Sequence, residues 1–144
     1  MSDDVGERGV LDTSTVILLG RLDEADLPTE PLITAVTLAE LSVGPLVAAD
    51  ESERAARQAQ LQQAESDFEP LAFDADAARA FGRVAASLRR SGRKVKARAY
   101  DGMIAATAVA NSLPVYTVNP DDFRGIDGLT LRAIVHPDRR STRS

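Results

Sequence analysis

The chain predicts an α/β fold, a parallel sheet with helices on both faces. Short strand-like runs alternate with helical runs, the pattern of sheets built from strand–helix units. Its 144 residues suit one compact domain. With 44% apolar and 27% charged residues it has an ordinary globular composition, and no repeat or Pro/Gly/Ser-rich linker divides the middle.

The elements are read in order. Val10-Leu11 is a short strand leading into Asp12, and residues 13–22 read as a helix. Residues 31–34 read as a second strand, followed by a helix from Val36 to Gly44, where Gly44-Pro45 should break or kink it because Pro clashes with the preceding turn. Residues 50–67 are polar, rich in Ala and Gln, and helical by propensity. Residues 68–73 read as a strand. Residues 76–90 read as a helix with Phe81, Val84, Ala85 and Leu88 on one face. A helix over 99–112 and strands over 114–118 and 129–135 complete the domain, expected to span residues 9–135. Residues 1–8 and 136–144 hold too little apolar surface to order themselves and are expected to be flexible arms.

Composition narrows the chemistry. The chain has no Cys, which excludes disulfides, thiol catalysis and thiolate metal sites. Its one His, His136, lies near the C-terminus, so a His-ligated zinc centre is not expected. Aromatics are 4% with no Trp, which argues against extensive base stacking and for recognition of folded shape and backbone. No run approaches the roughly 20 apolar residues of a membrane span, and Met1 to Gly9 is acidic without a signal peptide's apolar region, so no signal is expected. The cytoplasm is the expected compartment, with no membrane partner. What remains is carboxylate chemistry, from 22 Asp plus Glu against 17 Lys plus Arg.

Four acids stand out. In open α/β sheets, sites form beyond the carboxyl ends of the strands. Asp12 directly follows Val10-Leu11, and Asp121-Asp122 closely follow the strand over 114–118. Asp12 also suits a helix N-cap, and Asp121 suits a cap of the turn around Phe123. Glu40 shares a helix face with Val36, Val43 and Val47, and Asp101 shares one with Ile104, Ala105 and Ala108. Each acid interrupts an apolar stripe, and a buried carboxylate is costly unless paired or bound to a cation. A salt bridge is the simplest alternative, for example Asp101 with Arg98. Two carboxylates about 5 Å apart repel by roughly 3 kcal/mol at an effective dielectric of 20. A cluster is tolerated if some are protonated or a cation sits among them, and hard oxygen donors without His or Cys select Mg²⁺ or Mn²⁺.

Four segments together resemble the PIN domain family, and more closely its VapC-type toxins of bacterial toxin–antitoxin pairs. They are Asp12-Thr13-Ser14 after a strand, Thr37-Leu38-Ala39-Glu40-Leu41 with Gly44, Asp101-Gly102-Met103-Ile104-Ala105-Ala106-Thr107-Ala108, and Thr117-Val118-Asn119 with Asp122-Phe123. Each is weak alone; the four in this order and spacing are specific. The resemblance implies a three-layer fold with a mostly parallel sheet of four to five strands. It implies an endoribonuclease dependent on Mg²⁺, with Mn²⁺ as substitute. Asp12, Glu40, Asp101 and Asp122 take the catalytic acidic roles, with Asp12 and Asp101 as direct metal ligands. Thr13, Thr117 and Asn119 match the supporting polar residues. Asp121, next to Asp122, is the competing choice for the fourth acid. The resemblance also implies a small antitoxin that wraps the toxin, and a homodimer; Val16, Ile17 and Leu19 offer apolar surface for either, with at least half of them expected in the core.

Charge distribution places the RNA. The net charge is −5, yet residues 89–98, RRSGRKVKAR, hold six Lys or Arg and no acid, and end just before Asp101. Arg93, Lys94, Lys96 and Arg98 are the candidate phosphate contacts, since such contacts supply much of nucleic-acid affinity; a solvated surface loop is the plainer reading of the run. Metal-assisted hydrolysis should leave 5′-phosphate and 3′-hydroxyl ends. A receiver domain needs a late Lys, and no Lys follows residue 101; a haloacid-dehalogenase-type phosphatase needs Asp-x-Asp where this chain has Asp12-Thr13-Ser14. A PIN-like binding module without activity is the alternative.

Overall fold

A computed structural model describes residues 6–140. The sheet has four strands in the order β2-β1-β3-β4, all parallel. They are β1 (Arg8–Leu11), β2 (Glu30–Leu32), β3 (Val115–Thr117) and β4 (Leu131–Ala133). Val10 stands opposite Leu32 on one side and Val115 on the other, and Thr117 opposite Ala133. Pro31, which cannot donate to a ladder on both sides, lies on the edge strand β2. The α/β class, the parallel sheet and its strand number agree with the expectation.

Successive strand residues point to opposite faces, and this builds two cores. Val10 and Val115 face a core with Val84 and Leu88 of α4 (Ala75–Arg90) and Ile104, Ala105 and Ala108 of α5 (Ala99–Ala110). Leu11 faces the other, with Val16 of α1 (Thr13–Ile17), Leu41 of α2 (Ala35–Val43) and Ala64 of α3 (Glu51–Asp67). Phe81, Val84 and Leu88 thus form the packing stripe expected of α4. Gly102 allows that stripe to approach α5 closely, since a Cβ there would stand 3.1 Å from the Phe81 ring.

Local chemistry sets the helix ends. Thr34, Asp50 and Asp74 cap α2, α3 and α4, each accepting from a backbone N–H three residues on. α4 stops where Gly92 turns left-handed (φ 78°), with Arg93 N–H bonded to Leu88 O and Gly92 N–H to Arg89 O. That turn sends residues 93–98 back toward α5.

Three elements differ from expectation. The first helix stops at Ile17 and continues as a 3-10 turn over Leu19–Arg21. Pro45 does end α2, but as a tightening into a 3-10 turn over Gly44–Val47. The strand expected over 68–73 is a single bridge, Thr34 to Leu71, because only Leu71 reaches the backbone of Ile33 and Ala35. Of the expected arms, residues 1–5 and 141–144 lie outside the described residues. Within them, Arg8 opens β1, Glu7 accepts from Arg132 and Tyr116, and α6 (Pro137–Arg140) is tied to Arg21 through Asp138. Among the described residues, no helix is long and apolar enough to cross a membrane.

Candidate active site

The site lies beyond the carboxyl ends of β1 and β3, where each strand runs directly into a turn. Asp12 follows β1 and is 2% exposed. It stands at the N-cap position of α1, but its oxygens are engaged by hydroxyls: Thr15 donates to Oδ1, and Thr117 of β3 donates to Oδ2 at 3.0 Å. Both hydroxyls are fixed in turn, because Val118 N–H donates to Thr15 Oγ1 and Asn119 N–H to Thr117 Oγ1. Burial raises the Asp12 pKa, and the two hydroxyls oppose it.

Glu40, on α2, is joined to α1 by Thr13, whose Oγ1 donates to Oε1 at 2.6 Å. A hydroxyl has one proton. Thr13 spends it on Glu40, so Thr37, 2.9 Å away, donates to Thr13. Asp101 sits in the first turn of α5, where the positive helix end favours a carboxylate. Asp122 closes the 3-10 turn after β3. Arg98 donates to Asp122 at 2.7 Å and lies 4.0 Å from Asp101.

Asp101 senses the other three acids. The Asp101 carboxyl is pushed up to about 6 by burial first, then by Asp122, Asp12 and Glu40, against the opposing charge of Arg98. Asp121 is turned away: it is exposed, and Arg124 holds its pKa below the ordinary value. Geometry therefore places Asp122, not Asp121, with the other acids.

Thr13, Thr117 and the Asn119 backbone all brace the acids. Arg98 is engaged by Asp122 and lies near Asp101, whereas Lys94 and Lys96 are exposed and Arg93 is partly buried. Thr15 and Thr37 belong to the same network and were not expected. Thr15 had a signal, a hydroxyl one helical turn after Asp12; Thr37 opened the segment Thr37-Leu38-Ala39-Glu40-Leu41 but was assigned no role there.

Among the described residues, no group of three or more acidic or His side chains is placed to hold an ion outright. A hard divalent cation needs no such cage. Mg²⁺ is usually held by one or two carboxylates, with water filling its shell. Asp12 and Asp101 offer only oxygen, among acids whose repulsion raises the Asp101 pKa, and the residues fit such an ion.

Comparison with known proteins agrees with this geometry. The PIN domain family model matches residues 10–129. The chain belongs to the PIN domain family of nucleases, and within it to the VapC kind. It is 49% identical to Ribonuclease VapC5 of Mycobacterium tuberculosis (strain ATCC 25618 / H37Rv) over 123 residues, covering 83% of this chain and 88% of that protein. It also resembles the crystal structure of VapBC-5, a member of the VapBC family of toxin-antitoxin systems from Mycobacterium tuberculosis. The TM-score is 0.77 at 43% identity, covering 88% of this chain and 98% of that one. DNA-bound VapBC from Salmonella typhimurium matches with a TM-score of 0.69 at 27% identity, covering 88% and 98%.

Proposed function

We propose that the chain is the toxin of a VapBC-like pair, an endoribonuclease that cleaves structured cellular RNA with Mg²⁺, or Mn²⁺ in its place. The observation that carries this is the gathering of carboxylates beyond β1 and β3: Asp12 lies buried there, Arg98 reaches Asp122 at 2.7 Å and Asp101 at 4.0 Å, and Glu40 lines one cleft with Asp101. Such crowding is costly in a structural role and useful for holding a cation.

Asp12 and Asp101 would hold the ion. Bound there, it supplies water activation and charge neutralisation at the scissile phosphate. Thr15 and Thr117 hold Asp12 in one orientation, and Thr13 does the same for Glu40. Glu40 or Asp122 takes the proton that the attacking water loses as its oxygen bonds to phosphorus, in line with the leaving 3′-oxygen, which takes up a proton from solvent. The P–O3′ bond breaks, leaving a 5′-phosphate and a 3′-hydroxyl. No His is needed, in keeping with the single His136.

Lys94 and Lys96, with Arg93, supply the phosphate contacts on the loop before α5. An apolar cleft between α1 and α3, lined by Val16, Ile17, Leu19, Ala56 and Phe68, suits a wrapping antitoxin segment. Ile17 is 48% exposed there, while Val16 and Leu19 pack into the core beneath. A homodimer and a cytoplasmic setting complete the reading.

The test is cleavage of total cellular RNA by the purified protein with Mg²⁺ or Mn²⁺, with end mapping. Discrete products bearing 5′-phosphates, abolished by chelator and reduced at least about 100-fold by Asp12→Asn or Asp101→Asn, are expected. Cleavage without metal, leaving a 2′,3′-cyclic phosphate, would sink the mechanism.

A further inference from the structure

We infer that the cleft beside the acids is a subsite for one nucleotide of single-stranded RNA, with the base stacked on Tyr100 and a phosphate met by Lys96. The inference rests on the nuclease reading and deepens it. The cleft has a volume of about 400 Å³ and is lined by Glu40, Lys96, Ala99, Tyr100 and Asp101. Two of the four acids, a cation and an aromatic ring therefore line one cleft. Those three features match the scissile sugar–phosphate, a flanking phosphate and a base.

Tyr100 has no evident task in the fold. The chain has four Phe and two Tyr. Phe123 is buried, Phe81 and Phe68 pack against the two cores, Phe73 meets Phe81 edge-on at 6.5 Å, and Tyr116 packs in the second core and donates to Glu7. Tyr100 belongs to neither core and is 57% exposed. It immediately precedes Asp101 in the first turn of α5, so its ring is held by a helix beside the carboxylate. A cleft walled by carboxylates repels RNA unless a cation offsets them, and Lys96 stands at that position. Stacking accepts any base, because every base has a π-face. The subsite therefore adds grip and orientation without choosing the sequence. Low aromatic content excludes an extended stacking platform but leaves room for one well-placed ring.

The chain has no Trp and two Tyr, so the part of the tyrosine response to RNA that is lost in Tyr100→Phe reports this ring, with Tyr116 as the constant background. A fluorescein-labelled random RNA decamer is titrated at low salt with chelator, read by anisotropy and, with unlabelled RNA, by tyrosine emission. Cleavage of total RNA with Mn²⁺ is run in parallel. Tyr100→Ala is expected to weaken binding roughly 5- to 150-fold, the range for removing one stacked base. Tyr100→Phe should bind within about twofold of the unaltered protein while losing most of the emission quench. Lys96→Gln should weaken binding and lower the salt slope by about one phosphate contact. Tyr100→Ala binding as tightly as the unaltered protein overturns the subsite. So does Tyr100→Phe binding as weakly as Tyr100→Ala. If the unaltered protein cleaves RNA but none of these variants differs, the subsite falls and the nuclease reading stands. If it neither binds nor cleaves, both fall.

Discussion

Asp101 ties protonation to stability. Its carboxyl is lifted from 3.8 to about 6, chiefly by burial and then by Asp122, Asp12 and Glu40. A carboxyl raised in the folded state favours folding when protonated. That advantage is present at low pH and is lost as pH rises from 3.8 through about 6. The rise corresponds to roughly 3 kcal/mol at most, at about 1.4 kcal/mol per pH unit. The metal-free protein should therefore melt at lower temperature at pH 7.5 than at pH 5.5. Asp101→Asn should remove most of that difference, and Mn²⁺ should restore stability to the unaltered chain alone. Arg98→Gln should enlarge the difference, since the guanidinium is the cation nearest the pair Asp101 and Asp122. Thermal melts across pH, with and without metal, check all four; a flat profile for the unaltered chain would refute the first. The acids themselves were legible, because each interrupts an apolar stripe or follows a strand. Arg98 was legible only in part: its pairing with Asp101 follows from their spacing on one helix turn, but its tighter partner Asp122 comes from a turn 24 residues further on.

At the scale of elements, helix ends were easier to read than strands. The helices expected over 50–67 and 76–90 are α3 and α4 to within one residue at each end, their starts capped by Asp50 and Asp74. Strands here are only three or four residues long, too short for an alternating pattern to separate a ladder from a single bridge. Residues 68–73 show this, for they carry strand-like residues but pair only at Leu71. α5 ends like α4, with Leu113 N–H bonded to Ala108 O, but Ser112 holds the left-handed position at φ 56°. Serine pays a steric penalty there that glycine avoids. Ser112→Gly should therefore stabilise the fold by about 1 kcal/mol, measured by urea unfolding at constant m-value. A loss of stability would show that the Ser112 side chain contributes more than its strain costs.

For the molecule as a whole, net charge and local charge point in opposite directions. The chain carries −5, yet the loop leading into α5 is basic and sits against the acids. A triple neutralisation, Arg93→Gln, Lys94→Gln and Lys96→Gln, should weaken RNA binding and reduce the slope of log affinity against log salt by about two to three. Mn²⁺ binding by calorimetry should survive, because none of the three is an oxygen donor. An unchanged slope would place the RNA on another face. The global arrangement was legible from alternation alone, while the convergence of the acids needed the pairing of β1 with β3.

That pairing also governs when the protein becomes dangerous to its host. Asp12 is held by Thr117, a partner 105 residues away, and Asp122 enters still later. Contacts of such separation form late and cannot exist on a partly made chain. A nascent toxin is therefore harmless until nearly its whole length has been translated. The interval of synthesis is therefore a built-in delay before the site can be assembled.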